Sequence, residues 1–363
     1  MSSEREALKL AFLQAHGLGG ARRQRLTGDA STRVYERLHR DGLPSLIFMD
    51  QPPSLETHPC PPDATPAERL ALGYNASARL AAGRVDAFVA VAGFLRGRGL
   101  SAPEIPAADP AQGLAVLEDL GDDLYARLIE RGMAEEPLYA AAIDLMIQLH
   151  AEPAPEVLEA DGARWPLLSY DVLALKTGLD MFIAWWPKYS GAPPFSEAAV
   201  AEWNGLWDPI RQRGEAGASV FTHRDYHAEN LVWLPERTGA ARVGLLDFQD
   251  ALRAHPSWDL LSLLQDARRD VAPELEARML DRYLAGRPEL DRRAFLEDYR
   301  GLAALNAARI LFIFARQVAG FGRPRYADLM PRVWRTLERD LAEPEFAGLS
   351  AWFDREIPPE TRR

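Results

Sequence analysis

Apolar positions along the chain change rhythm near residue 118. Before it they come in short bursts. Val34, Glu36 and Leu38 alternate with Tyr35 and Arg37, the period of a half-buried strand over 33–38. Further strands are predicted at 23–27, 45–49 and 113–117, and Asp41-Gly42 turns the second into the third. A helix over 3–16 precedes them, with Ser3 as cap, acids in its first turn, and Gly17 and Gly19 to stop it. Six prolines between 51 and 66 predict a loop. Val85, Phe88, Val89, Ala92 and Leu95 mark one face of a helix over 84–98. After residue 118 the spacing is mostly helical, over 122–131, 135–150, 169–188, 196–213, 256–267, 272–285, 292–319 and 325–341. A strand–loop–strand block at 219–247 interrupts it. The pattern predicts an α+β chain of two lobes. The smaller, 1–118, has an antiparallel sheet and one main helix, and the larger, 119–363, is mainly helical.

Composition narrows the functions available. The chain has 363 residues, 47% hydrophobic and 26% charged, ordinary proportions for a soluble globular protein. Its net charge, 42 − 53 = −11, is the opposite of the basic footprint a nucleic-acid binder needs. Cys60 is the only cysteine, which rules out an intrachain disulfide and a cysteine-based zinc site and fits a reducing cytoplasm. Glu4, Arg5, Glu6 and Lys9 interrupt the first twenty residues, so no signal-peptide core is expected there. No run approaches the ~18–20 apolar residues of a membrane span, and no obligate protein partner is implied.

The chemistry concentrates in the block that breaks the helical pattern. Apolar runs at 219–222 and 231–234 flank a polar loop holding His223, Arg224, Asp225, His227, Glu229 and Asn230. The next apolar run, 242–246, ends in Asp247, Phe248, Gln249 and Asp250. Two carboxylates and an amide at strand ends suit a divalent cation and a proton acceptor beside a phosphate. In phosphoryl transfer one aspartate orients the attacking hydroxyl and accepts its proton, while an asparagine and a second aspartate hold Mg2+ against the nucleotide. Asp225 is thus the candidate base, and Asn230 and Asp247 are the candidate Mg2+ ligands. His223 and His227 support the loop. A metal-dependent hydrolase built on His223, His227 and Asp247 competes for the same cluster, without a histidine-rich ligand set.

The block resembles the aminoglycoside phosphotransferase family, small-molecule kinases with a protein-kinase-like fold whose usual loop is His-Gly-Asp-aromatic-His-x-x-Asn. Arg224 in place of the glycine, Tyr226 next to Asp225, and Gln249-Asp250 after the Asp-Phe pair are closer to the branch of anomeric kinases for N-acetylmuramate and N-acetylglucosamine, which serve cell-wall sugar recycling. Further matches are Gly28 to Ser31 with Arg33 and Tyr35, Phe48 to Asp50 before a proline pair, Leu120-Gly121, Trp258-Asp259 and its leucines, and 310–316. The likeness covers most of residues 20–345.

The resemblance implies ATP and Mg2+ as cofactors and a small-molecule sugar as acceptor. It implies a phosphate-covering hairpin at Gly28, Ser31 and Thr32, with Arg33 beside it, where small residues let backbone N–H groups approach a phosphate. It puts backbone groups of Glu118 and Leu120 at the adenine edge and makes Asp259 an anchor of the catalytic loop. Arg309 and Arg316, seven apart on one helix face, become candidates for an anionic substituent such as a muramyl lactate. One departure stands out. Kinases of this fold carry a lysine on the third strand, but residues 45–50 contain none, so Arg33 or Arg37 is expected to supply the charge. The gap also motivates a nucleotide-binding pseudokinase, and an aminoglycoside, choline or a similar alcohol is the alternative acceptor. The tryptophans at 185, 186, 203 and 207 fit either core packing or stacking on a sugar ring.

Overall fold

A computed structural model describes residues 3–26, 33–52, 58–160 and 162–362. Gly28, Ser31 and Thr32 lie outside the described residues. The small lobe is built on strands β1 (Arg22–Arg25), β2 (Val34–Arg40), β3 (Leu43–Asp50), β4 (Ala107–Asp109) and β5 (Leu114–Glu118), in the sheet order β1-β2-β3-β5-β4. Every pairing is antiparallel. Side-chain alternation gives the sheet two apolar faces. Leu38, Phe48, Leu114 and Val116 pack beneath the N-terminal helix Ser3–Ala15 in a small core of their own. Met49, Ala115 and Leu117 face the other way and join the main core with the helix Val85–Gly97. On the outer face Lys9 is fully buried, 3.1 Å from Glu36 and 3.6 Å from Asp50, so the N-terminal helix is pinned by charge as well as by apolar contact.

The segment 58–83, whose start was read as loop, carries two short helices. Thr65 and Glu68 form a capping box that starts Pro66–Leu72. Gly73, at φ +93°, breaks it from Tyr74–Ser77, a backbone conformation in which a side chain would be strained. The segment reaches into the large lobe: buried Arg69 and partly exposed Arg79 both pair with Asp171, the N-cap of the helix Val172–Ser190.

The large lobe packs Val172–Ser190 and Met330–Leu341 along the 30-residue helix Arg292–Phe321. By length and composition this helix is apolar enough to cross a membrane, although charged residues interrupt its apolar run. Within the fold 61% of its apolar window is buried. Trp186, Trp203 and Trp207 are buried; the first two stack against Phe182 at 5.7 and 5.4 Å, and Trp207 packs edge-on to Trp203. They belong to the core.

Two small ribbons frame the polar block. Val220–Thr222 pairs with Leu252–Ala254, and Leu231–Trp233 with Val243–Leu245. The loops 223–230 and 246–251 are therefore held mouth to mouth, with the Leu246 N–H donating to the Asn230 carbonyl at 3.0 Å. Strand Leu252–Ala254, which closes the frame, was not predicted.

Candidate active site

The loop 223–230 is fixed from beneath. The Asp259 carboxylate, fully buried at the start of the helix Ser257–Leu264, accepts the backbone N–H of His223 at 2.7 Å and of Arg224 at 2.9 Å. Burial pushes its pKa up to about 7 against the pull of those two donors. Tyr226, also buried, donates its hydroxyl to the Ala142 carbonyl at 2.9 Å and ties the loop to the helix Glu135–His150. The His223 ring is buried edge-on to Tyr226 and Phe248, and burial holds its pKa down at about 4, so it stays neutral. Phe248 packs on Phe88 of the small-lobe helix at 4.6 Å, joining the second loop to the other lobe.

Above this support Asp225 is half-buried. The Asn230 side-chain amide donates to the Asp225 carbonyl at 2.9 Å and lies 3.3 Å from His227 Nε2. Its Oδ1 accepts no hydrogen bond from a described residue. Asp247 takes the left-handed conformation, φ +60°, and its carboxylate meets the Arg33 guanidinium at 2.8 Å. Arg33 also donates to Gln249 Oε1 at 2.7 Å and to Tyr35 at 3.2 Å. Burial opposes its charge, but Tyr35, Asp247 and Asp250 outweigh burial and hold its pKa up. The cation already drawn to Asp247 indicates a carboxylate suited to one. A set of one carboxylate and one amide oxygen fits Mg2+, which keeps several waters and takes its remaining ligands from phosphate. Among the described residues no group of three or more His, Cys, Asp or Glu side chains is placed to hold a metal.

The structure separates the two proposed stand-ins for the missing lysine. Arg33 reaches the site. Arg37, on the cleft-facing side of β2 opposite Ile47, is taken up by Asp119 at 2.6 Å and Asp122 at 2.9 Å, at the connection between lobes. At that connection the Glu118 side chain pairs with Arg237 at 2.6 Å, its N–H is used by the Glu104 carbonyl, and Leu120 packs on Val232 and Leu234.

Arg309 lies within electrostatic reach of Tyr170, Asp225, Tyr74 and Asp250, which outweigh its burial and hold its pKa up. Its one described hydrogen bond goes to Asn306 at 2.9 Å, on its own helix. Arg316 sits two turns further along, over the rings of Trp185 and Phe321 at 5.9 and 5.2 Å, with no described ion pair. Tyr74 packs edge-on to Phe312 at 6.0 Å, and burial raises the pKa of its hydroxyl against the pull of Arg309, Arg224 and Arg316. Tyr74 and Tyr170 were missed from sequence. Neither stands in a motif. Docking of segment 58–83 brings in Tyr74, and Tyr170 is held where its N–H donates to the Arg253 carbonyl at 2.8 Å.

A base candidate, an amide and a carboxylate stand on facing loops, and Arg33 bridges the second loop to the small antiparallel lobe. The chain belongs to the phosphotransferase enzyme family, whose sequence pattern it matches over residues 22–296. It is 67% identical, across its full length and 99% of the other chain, to a protein of Caulobacter vibrioides named N-acetylmuramate/N-acetylglucosamine kinase. A Pseudomonas aeruginosa protein of the same name is 30% identical over 89% of this chain and 85% of its own. The fold is shared with a choline/ethanolamine kinase family protein from Mesorhizobium loti (TM-score 0.55, 18% identity, 96% and 98% of the two chains). It is also shared with an aminoglycoside phosphotransferase bound to GDP (TM-score 0.53, 13% identity, 95% and 99%). The two-lobed kinase fold expected from sequence is the fold found.

Proposed function

We propose that this phosphotransferase moves the terminal phosphate of ATP to the anomeric hydroxyl of N-acetylmuramate or N-acetylglucosamine. The observation that carries the substrate is the full-length 67% identity to a protein of that name. In this reading Asp225 orients the sugar hydroxyl and accepts its proton. Asn230 and Asp247 would hold Mg2+, which when bound neutralises charge on the phosphates. Arg33 supplies the fixed positive charge that strand β3 lacks. Gly28, Ser31 and Thr32 are assigned to the phosphate-covering turn, and backbone groups of Glu118 and Leu120 to the adenine edge. Arg309 and Arg316 are assigned to an anionic substituent of the sugar. His223, His227 and Asp259 hold the loop and take no part in the chemistry. The lobe boundary follows Glu118, with segment 58–83 docked on the second lobe. ATP as donor and the single free thiol of Cys60 suit a cytoplasmic enzyme.

The reading is tested by following ADP release from Mg-ATP with N-acetylmuramate, N-acetylglucosamine, glucose, choline and kanamycin. Turnover is expected with the two N-acetyl sugars. Asp225→Asn, folded as judged by melting, should lose at least about a hundredfold in kcat. No turnover of either N-acetyl sugar refutes the acceptor, and an Asp225→Asn enzyme as fast as wild type refutes the base.

A further inference from the structure

Arg224 stands between the candidate base and the supporting histidine, in a conformation an arginine rarely adopts, φ +80°. Its backbone is held on both sides: its N–H by Asp259, and its carbonyl by the Ser262 hydroxyl at 3.4 Å. Its side chain is 2% exposed. The guanidinium donates to the carbonyls of Ala78 at 3.1 Å and Arg79 at 3.3 Å and lies over the Tyr170 ring at 5.1 Å. It makes no described ion pair. A buried guanidinium spent on two carbonyls of one turn marks that turn as its partner.

The turn is itself unusual. Arg79 and Ala82 both take positive φ, at 56° and 52°. The Ala81 N–H donates to Asp250 at 2.6 Å, and the Arg79 side chain pairs with Asp171 at 2.7 Å. Residues 78–82 therefore touch the loop of Asp225 through Arg224 and the loop of Asp247 through Asp250. The short helix just before the turn carries Tyr74, which packs edge-on at 6.0 Å to Phe312 on the helix of Arg309 and Arg316.

We propose that Arg224 is a positioning residue that clamps the turn 78–82 onto the catalytic loop, so that the wall carrying Tyr74 keeps a fixed distance from Asp225. The acceptor-side consequence rests on the kinase reading above; the clamp itself does not. In Arg224→Gly the clamp and the backbone strain vanish together. Melting should fall by about 4 °C or less, the relieved backbone strain offsetting part of the cost of two carbonyls left without a donor, while amides of 74–82 exchange about tenfold faster or more and those of 226–232 stay protected. The acceptor KM should rise about tenfold with the ATP KM unchanged. Arg224→Lys keeps the charge but not the fork that reaches two carbonyls, so it should shift the same quantities in the same direction by less. It also serves if the glycine variant does not fold. Wild-type exchange over 74–82 in either variant overturns the clamp, as does a loss of ATP and acceptor affinity in equal measure. If the wild-type enzyme turns over no sugar, the acceptor reading fails and amide exchange alone decides the clamp.

Discussion

Asp259→Asn is the most informative single change beneath the site. The carboxylate accepts two buried backbone N–H groups, at 2.7 and 2.9 Å. An asparagine oxygen can keep one, while its amide N–H₂ is set against the other. One buried donor left unsatisfied costs about 1–3 kcal/mol, so a loss of about 2–3 kcal/mol is expected. Unfolding entropy of about 2.1 cal/mol/K per residue, over the 363 residues of the chain, converts about 3 kcal/mol into a melting shift of about 4 °C if the chain unfolds as one unit. The shift should depend on pH. Burial raises the folded pKa of Asp259 from 3.8 to about 7. The unfolded chain therefore ionises first, and the wild type loses stability as pH rises from about 4 through 7. The asparagine variant has no such loss. The gap between the two proteins should be widest near pH 4 and close by pH 8, read by urea denaturation at each pH. The variant should also lose kcat, because the anchored N–H groups immediately precede Asp225. A gap that is absent at pH 4, or that widens with pH, refutes the account of Asp259 as a desolvated anchor.

Three further outcomes are expected. Asp247→Asn should raise the Mg2+ needed for half-maximal rate by about tenfold or more without lowering the melting temperature, measured by titrating Mg2+ at saturating ATP; an unchanged requirement removes Asp247 from the metal site. Arg316→Gln should raise the KM for N-acetylmuramate about tenfold, the worth of one charge-assisted hydrogen bond, and leave N-acetylglucosamine unaffected; equal effects on both sugars remove the carboxylate contact. Burial drives the pKa of His150 down to about 3 from 6.5, and its Nδ1 lies 2.8 Å from the Tyr283 hydroxyl. A depressed folded pKa means stability that is present above pH 6.5 and lost as pH falls toward 3. His150→Gln should flatten the decline in melting temperature between pH 6.5 and 4, and an unaltered decline counts against a neutral His150.

What the sequence made legible was whatever lay close together in the chain. Strands β2 and β3 announced themselves by alternation and an Asp-Gly turn, and the polar loop by the apolar runs around it. Asp225, Asn230 and Asp247 could be singled out because one loop and the next strand end carry them. The docked segment 58–83 was invisible for the opposite reason. Its helices are seven and four residues long, and the partner that fixes Arg69 is 102 positions away. Arg224 was noticed as an odd residue in the loop, but its function depends on carbonyls 145 and 146 positions earlier. The choice between Arg33 and Arg37 was likewise beyond reach. Two arginines four positions apart look alike until Asp119 and Asp122 claim one and Asp247 the other.

On the proposed Mg2+ assignment, the bond between Arg33 and Asp247 would make cation binding an exchange. A divalent ion arriving at Asp247 would not fill an idle ligand; it would compete with a guanidinium held just before strand β2. The carboxylate is 42% exposed, so the contest is modest and weakens with salt. Its products, though, are two: an occupied carboxylate and an arginine released at the mouth of the cleft, where the negative charge of a nucleotide arrives with the ion. The charge set free by one partner is the charge the other partner lacks, and a metal and a nucleotide entering together would each lower the cost of admitting the other.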